Sequence, residues 1–188
     1  ANMLEREERL NTLFEDSVKN RDFKVYLQPK VSPSETRACQ AEALVRWFHP
    51  QEGVIYPSEF IPLFEKNGKI CSLDLYMFEE VCRLIDRWIK EKKTLVSISV
   101  NVSRFHLREA GSEIWKEYKR ILDRYDIPEG VIEMELTETI LLEENQIPFV
   151  KAVLNGFRSC GLRVALDDFG FAYSSLSMLK EFAVDTLK

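Results

Sequence analysis

Two periods of apolar residues alternate along this chain. Val25 and Leu27 alternate with Tyr26 and Gln28, the period of a strand, and Pro29 is expected to end it. Residues 38–47 read as a longer strand. Leu73, Met77, Val81, Leu84 and Trp88 recur every three or four positions, which predicts a helix. The pattern then gives a strand over 95–101, a helix through Ile114, Tyr118, Ile121 and Tyr125, and a strand over 131–137. A helix through Ile147, Val150, Leu154 and Phe157 follows, with Gly161 where a C-terminal cap belongs. A strand over 162–168, a short helix over 174–180 and a further strand from 183 complete the series. Leu10, Leu13, Phe14 and Val18 mark a lead-in helix over 1–20, ahead of a domain over 21–188.

After a hairpin-like first pair, strand and helix alternate, which predicts crossover units and a mostly parallel sheet. The faces of the strands favour a barrel. Glu133, Glu135 and Thr137 share one face of their strand, and Ile132, Met134 and Leu136 the other. Ser97, Ser99 and Asn101 likewise oppose Val96, Ile98 and Val100. Apolar residues toward an outer ring of helices, with polar ones inward, suit a barrel whose active-site groups lie at the carboxyl ends of its strands.

Composition narrows the class. The chain has 188 residues, 45% hydrophobic and 30% charged, enough for one domain with a real core. Its formal charge of −5 leaves no polybasic footprint, so duplex nucleic acid is not an expected partner. No apolar run has the length of a membrane span, so no direct membrane contact is expected of these residues. Cys39, Cys71, Cys82 and Cys160 form no Cys-x-x-Cys pair, which argues against structural zinc and for free thiols in a reducing cytosol.

Four strand ends carry acids or amides: Glu42, Asn101, Glu135, and the pair Asp167 and Asp168. Singly, each has an ordinary reading. Glu42 could face solvent, Asn101 could cap a turn, Glu135 and Glu138 could suit a helix start, and Asp167-Asp168 before Gly170 could be turn chemistry. Together they are hard oxygen donors of the kind Mg²⁺ and Mn²⁺ select. Two such cations about 3.5–4 Å apart can activate a bridging water and clamp phosphoryl oxygens. Arg46 lies four residues from Glu42 on the same strand face, about 13 Å along it, with a guanidinium fork suited to phosphate. His49 and His106 are expected to be structural or exposed, with no catalytic role, and Trp47, Trp88 and Trp115 to be packing residues.

These residues sit in nine short pieces. They are Leu27-Gln28-Pro29-Lys30, the run from Ala41 to Trp47, His49-Pro50, Pro57 to Pro62, Ser99 to Ser103, Glu135 to Thr139, Asp167-Asp168-Phe169-Gly170, Tyr173 to Leu176, and Asp185 to Lys188. In that order they resemble the EAL domain, a family of cyclic di-GMP phosphodiesterases. The resemblance implies a modified TIM-type (β/α)₈ barrel with an antiparallel first strand. It implies hydrolysis of cyclic di-GMP to linear pGpG with two divalent cations, Mg²⁺ or Mn²⁺. By motif, Glu42, Asn101, Glu135, Asp167 and Asp168 would hold metal, and Gln28 and Arg46 would contact the nucleotide. Lys188 would stand near the attacking water, and Glu138 would brace the loop after the Asp-Asp pair. A bacterial, cytoplasmic signalling protein follows, with homodimers in many members and a parent that could be membrane-anchored.

The chain departs from the family pattern twice. Phe171 and Ala172 stand where the family usually has threonine and glycine, in a loop that helps order the second metal. The family also continues beyond this lysine for about two strand–helix units, which carry a general-base glutamate. About six strands cannot close an eight-stranded barrel, so the chain is expected to be a C-terminally incomplete domain. The alternatives to an enzyme are a degenerate domain that binds the nucleotide without cutting it, and a protein-interaction scaffold.

Overall fold

The computed structural model describes residues 2–31, 39–137, 147–167 and 185–187. Asn2 opens the first helix, α1 (Met3–Lys19): its backbone N–H donates to Glu5 Oε2 at 3.3 Å. The helix buries Leu10 and Phe14 against the domain. Strand β1 (Phe23–Lys30) pairs antiparallel with β2 (Gln40–His49), setting Gln28 opposite Glu42 and Lys24 opposite Arg46. Contrary to the expectation from the sequence, Pro29 does not end β1. The strand runs through it to Lys30, because β1 lies at the edge of the described sheet, where a residue without an N–H removes no ladder bond.

A short strand, β3 (Gly53–Ile55), folds back on β2. Two helices follow, α2 (Pro57–Asn67) and α3 (Lys69–Lys90). Then come β4 (Ser97–Asn101), α4 (Arg104–Ala110), α5 (Trp115–Leu122), β5 (Ile132–Thr137), α6 (Ile147–Ser159), β6 (Arg163–Asp167) and β7 (Thr186–Leu187). Neighbours run β1-β2-β4-β5-β6-β7, and every pair from β2 onward along this path is parallel. This is the expected barrel order with an antiparallel first strand, and the described strands form its wall without closing it.

The periodicity leaves out α2, α4 and β3. Pro57 is at the start of α2, where a missing N–H costs nothing, but Pro62 inside it reads as a breaker. Helix α4 has only seven residues, capped by Ser103 Oγ accepting from the Phe105 N–H at 3.2 Å. That cap falls to Ser103 rather than to Asn101. The expected helix ending near Tyr125 is an α-helix of Trp115–Leu122, preceded by a 3₁₀ turn over Gly111–Glu113.

Two cores pack against the outer face of the sheet. Ile98, Val100, Met134, Leu136, Val164 and Leu166 leave its outer face and meet Phe78, Val81, Tyr118, Val150 and Phe157 from the helices. A second, aromatic core joins Leu10, Phe14, Phe23, Trp47, Phe60 and Phe64, with Trp47 Nε1 donating to Ser17 Oγ at 3.0 Å. The opposite face is polar and still buried: Ser99, Glu133 and Glu135 are all enclosed, and Glu133 faces Arg163 Nη2 at 3.4 Å. After α6 the chain turns at Gly161, whose φ of +80° only glycine adopts without strain. The turn delivers β6 beside β5, in the register that sets Thr137 against Asp167.

Candidate active site at the carboxyl ends of the strands

The parallel register places Glu42 beside Ser99, and Asn101 beside Glu135. Because each strand is offset from the next, Glu42 and Asn101 meet diagonally, and Asn101 Nδ2 lies 3.2 Å from Glu42 Oε1. Glu135 is 2% exposed, a carboxylate buried on the inner wall. Lys30 reaches both acids. Its Nζ lies 2.9 Å from Glu42 Oε2 and 3.5 Å from Glu135 Oε2. Burying a carboxylate costs several kcal/mol unless a cation or hydrogen bonds offset it, and here an ammonium does so. Asp167 lies one register step further along β6, opposite Thr137. Asp168, Glu138 and Lys188 lie outside the described residues, as do Phe171 and Ala172.

Beside this cluster opens a cleft of about 770 Å³, within the range of small-molecule sites. Leu44, Arg46 and Asn101 line its barrel side, and Ile61, Asp74 and Met77 its helix side. Arg46 packs its guanidinium over the Tyr26 ring at 5.8 Å and donates from Nη1 to the Val45 carbonyl at 2.8 Å. Gln28, opposite Glu42, is exposed on the same face. Asp74 is buried, and its Oδ2 accepts from the Ser103 N–H at 2.8 Å. Burial pushes its carboxyl above the ordinary 3.8, against the opposing pull of His106 and the Ser103 N–H. His106 is enclosed too, its Nδ1 sharing a hydrogen bond with Tyr118 Oη at 3.2 Å. Of the two expectations, structural or exposed, it meets the first.

The donor set fits a hard divalent cation. Two carboxylates and an amide, which can turn its oxygen inward, converge where one ammonium already bridges both acids. Among the described residues no three Asp, Glu, His or Cys side chains gather closely enough to hold a metal by themselves.

A family model, the EAL domain, matches residues 11–188. The chain belongs to the EAL family. As an EAL domain it is similar to the cyclic di-GMP phosphodiesterase PdeR of Escherichia coli (strain K12), at 34% identity over 95% of this chain and 26% of that protein. It is also similar to MucR of Pseudomonas aeruginosa, named a bifunctional diguanylate cyclase/cyclic di-GMP phosphodiesterase, at 31% identity over all of this chain and 27% of that protein. The chain thus spans about a quarter of the length of these relatives. Among solved structures, the PaMucR phosphodiesterase in complex with c-di-GMP superposes with a TM-score of 0.82 at 30% identity, over 95% of this chain and 71% of that one. The EAL domain of Xanthomonas citri FimX, at 16% identity, 97% coverage of this chain and 69% of that one, shares the fold with a TM-score of 0.83.

Within this EAL domain, the structure brings together Glu42, Asn101 and Glu135, with Gln28 opposite Glu42 and Arg46 in the adjoining cleft. Two residues escaped the reading of the sequence. Lys30 was a motif letter only, although its period places it on the face of Gln28. Asp74 is the other, although an acid inside the apolar stripe of Leu73, Met77 and Val81 is a visible signal.

Proposed function

We propose that this EAL domain binds cyclic di-GMP in the cleft beside Glu42 and hydrolyses one phosphodiester bond to give linear pGpG, using Mg²⁺ or Mn²⁺. The observation that carries this reading is the convergence of Glu42, Asn101 and Glu135 at the strand ends, next to a cleft walled by Arg46. The names of the relatives support the same substrate.

Glu42, Asn101, Glu135 and Asp167 would hold the cations, with Asp168 serving the second. When bound, the ions acidify a water and draw charge from the phosphoryl oxygens. Arg46 offers parallel N–H donors to a second phosphate, and Gln28 an amide to the nucleotide. Leu44, Ile61 and Met77 supply apolar wall for a base and exclude water from it. Lys188 and Glu138 would take the roles that the family resemblance gives them.

The test incubates the intact protein with cyclic di-GMP and Mn²⁺ and follows pGpG chromatographically. Product is expected, and Glu42→Ala should lower its rate by at least about two orders of magnitude, the scale of losing a catalytic ion's ligand. Full activity in Glu42→Ala would reject the metal assignment. Phe171 and Ala172, which depart from the family's usual threonine and glycine, favour a second reading, a nucleotide sensor. Tight cyclic di-GMP binding without product would establish that one.

A further inference from the structure

We propose that Lys30 is a built-in occupant of the cation site: its ammonium holds the two carboxylates together in the ion-free state and must be displaced when a divalent cation enters. The proposal rests on the reading of Glu42 and Glu135 as metal ligands. Lys30 lies on β1 opposite Gln40, one inward-facing step beyond the Gln28–Glu42 pair, so it approaches the acids from within the barrel rather than from the mouth. Its Nζ meets Oε2 of Glu42 at 2.9 Å and Oε2 of Glu135 at 3.5 Å. One cation therefore touches two acids that come from strands separated by β4.

Two consequences follow from electrostatics. Carboxylates converging on one point repel unless a positive charge lies between them, so the ammonium stabilises the arrangement before any ion arrives. The same ammonium opposes the ion, because a divalent cation drawn to these carboxylates meets a positive charge already beside both of them. Lys30 thereby sets a threshold. The site fills only when the free ion competes with a tethered charge at high local concentration. Removing that charge should strengthen ion binding and weaken the ion-free fold.

The experiment measures Mn²⁺ affinity by titration calorimetry, and thermal unfolding in chelator and in Mn²⁺, on the intact protein without nucleotide. Lys30→Met should bind Mn²⁺ about tenfold more tightly, unfold at lower temperature in chelator and gain more from Mn²⁺ than the parent does. Lys30→Arg, which keeps the charge, should stay near the parent, and Lys30→Gln serves if the methionine variant fails to fold. Unchanged or weaker Mn²⁺ binding in the folded neutral variants would overturn the role of Lys30. Glu42→Ala separates this from the parent reading: if it binds Mn²⁺ as the parent does, the metal site itself is wrong, and both readings fall.

Discussion

At the scale of single residues, two acids lie where water hardly reaches, Glu135 in the site and Asp74 beside its cleft. Asp74 shows the consequence in pH. Its raised pKa means that the folded chain holds this proton more tightly than the unfolded chain does. The carboxyl's contribution to stability is therefore complete below the unfolded value of 3.8 and declines as pH rises through the higher folded value. Asp74→Asn removes the decline and keeps an oxygen to accept the Ser103 N–H. His106 Nδ1 lies 3.8 Å from Asp74 Oδ2. Urea unfolding between about pH 4 and pH 8 should show the asparagine variant gaining on the parent as pH rises. Parallel curves would mean that the buried carboxyl keeps its charge without cost. Sequence alone marks Asp74 as an acid on an apolar stripe, but not that Ser103 caps it from another element.

At the scale of elements, the helices are set by close approach as much as by amphipathic period. Trp115, at the start of α5, lies directly on Gly156 of α6. A Cβ there would fall 2.1 Å from Trp115 Cδ1 and 2.3 Å from Cγ, the rigid base of the ring. Gly156→Ala should therefore destabilise the domain by ~1–3 kcal/mol, through separation of α5 from α6. Combining it with Trp115→Ala should cost less than the two changes summed, because the clash disappears. Strictly additive losses in chemical denaturation would show that the two helices do not depend on this contact. The same scale explains the elements the pattern omits. A periodicity needs several turns to register: α4 has only seven residues, mostly polar, and α2 is crossed by Pro62, which reads as a breaker.

At the scale of the whole molecule, two cores divide the work of positioning the site. The larger one fixes β4, β5 and β6, and so Asn101, Glu135 and Asp167. It also takes in Ala43 and Leu27, the neighbours of Glu42 and Gln28, while the aromatic core holds the start of β1 and the end of β2 through Phe23 and Trp47, beside Arg46. Helix α1 belongs to the second core through Leu10 and Phe14. Phe14 packs edge-on to Phe64, with ring centroids 4.7 Å apart. Phe14→Ala should cost ~3–5 kcal/mol and loosen β1 against β2, read as lower unfolding free energy and earlier proteolytic cleavage within α1. A loss confined to α1, with the sheet as stable as before, would show that the lead-in helix is an appendage and not a wall of the core.

The chain's own order of residues determined a good deal. The periods of two and of three to four set which side chains face the helices and which face inward. The alternation of strand with helix set the parallel sheet, and the spaced motifs from Gln28 to Asp167 named the side chains that the folded chain gathers at one end. Tertiary structure alone decided how those side chains meet. Glu42 touches Asn101 diagonally rather than across a rung, Lys30 comes between acids far apart in the chain, and the cleft opens against α2 and α3. The physical reason is that a strand's period specifies a face but not a level. The level comes from the hydrogen-bond register between strands, which the packing of distant helices selects.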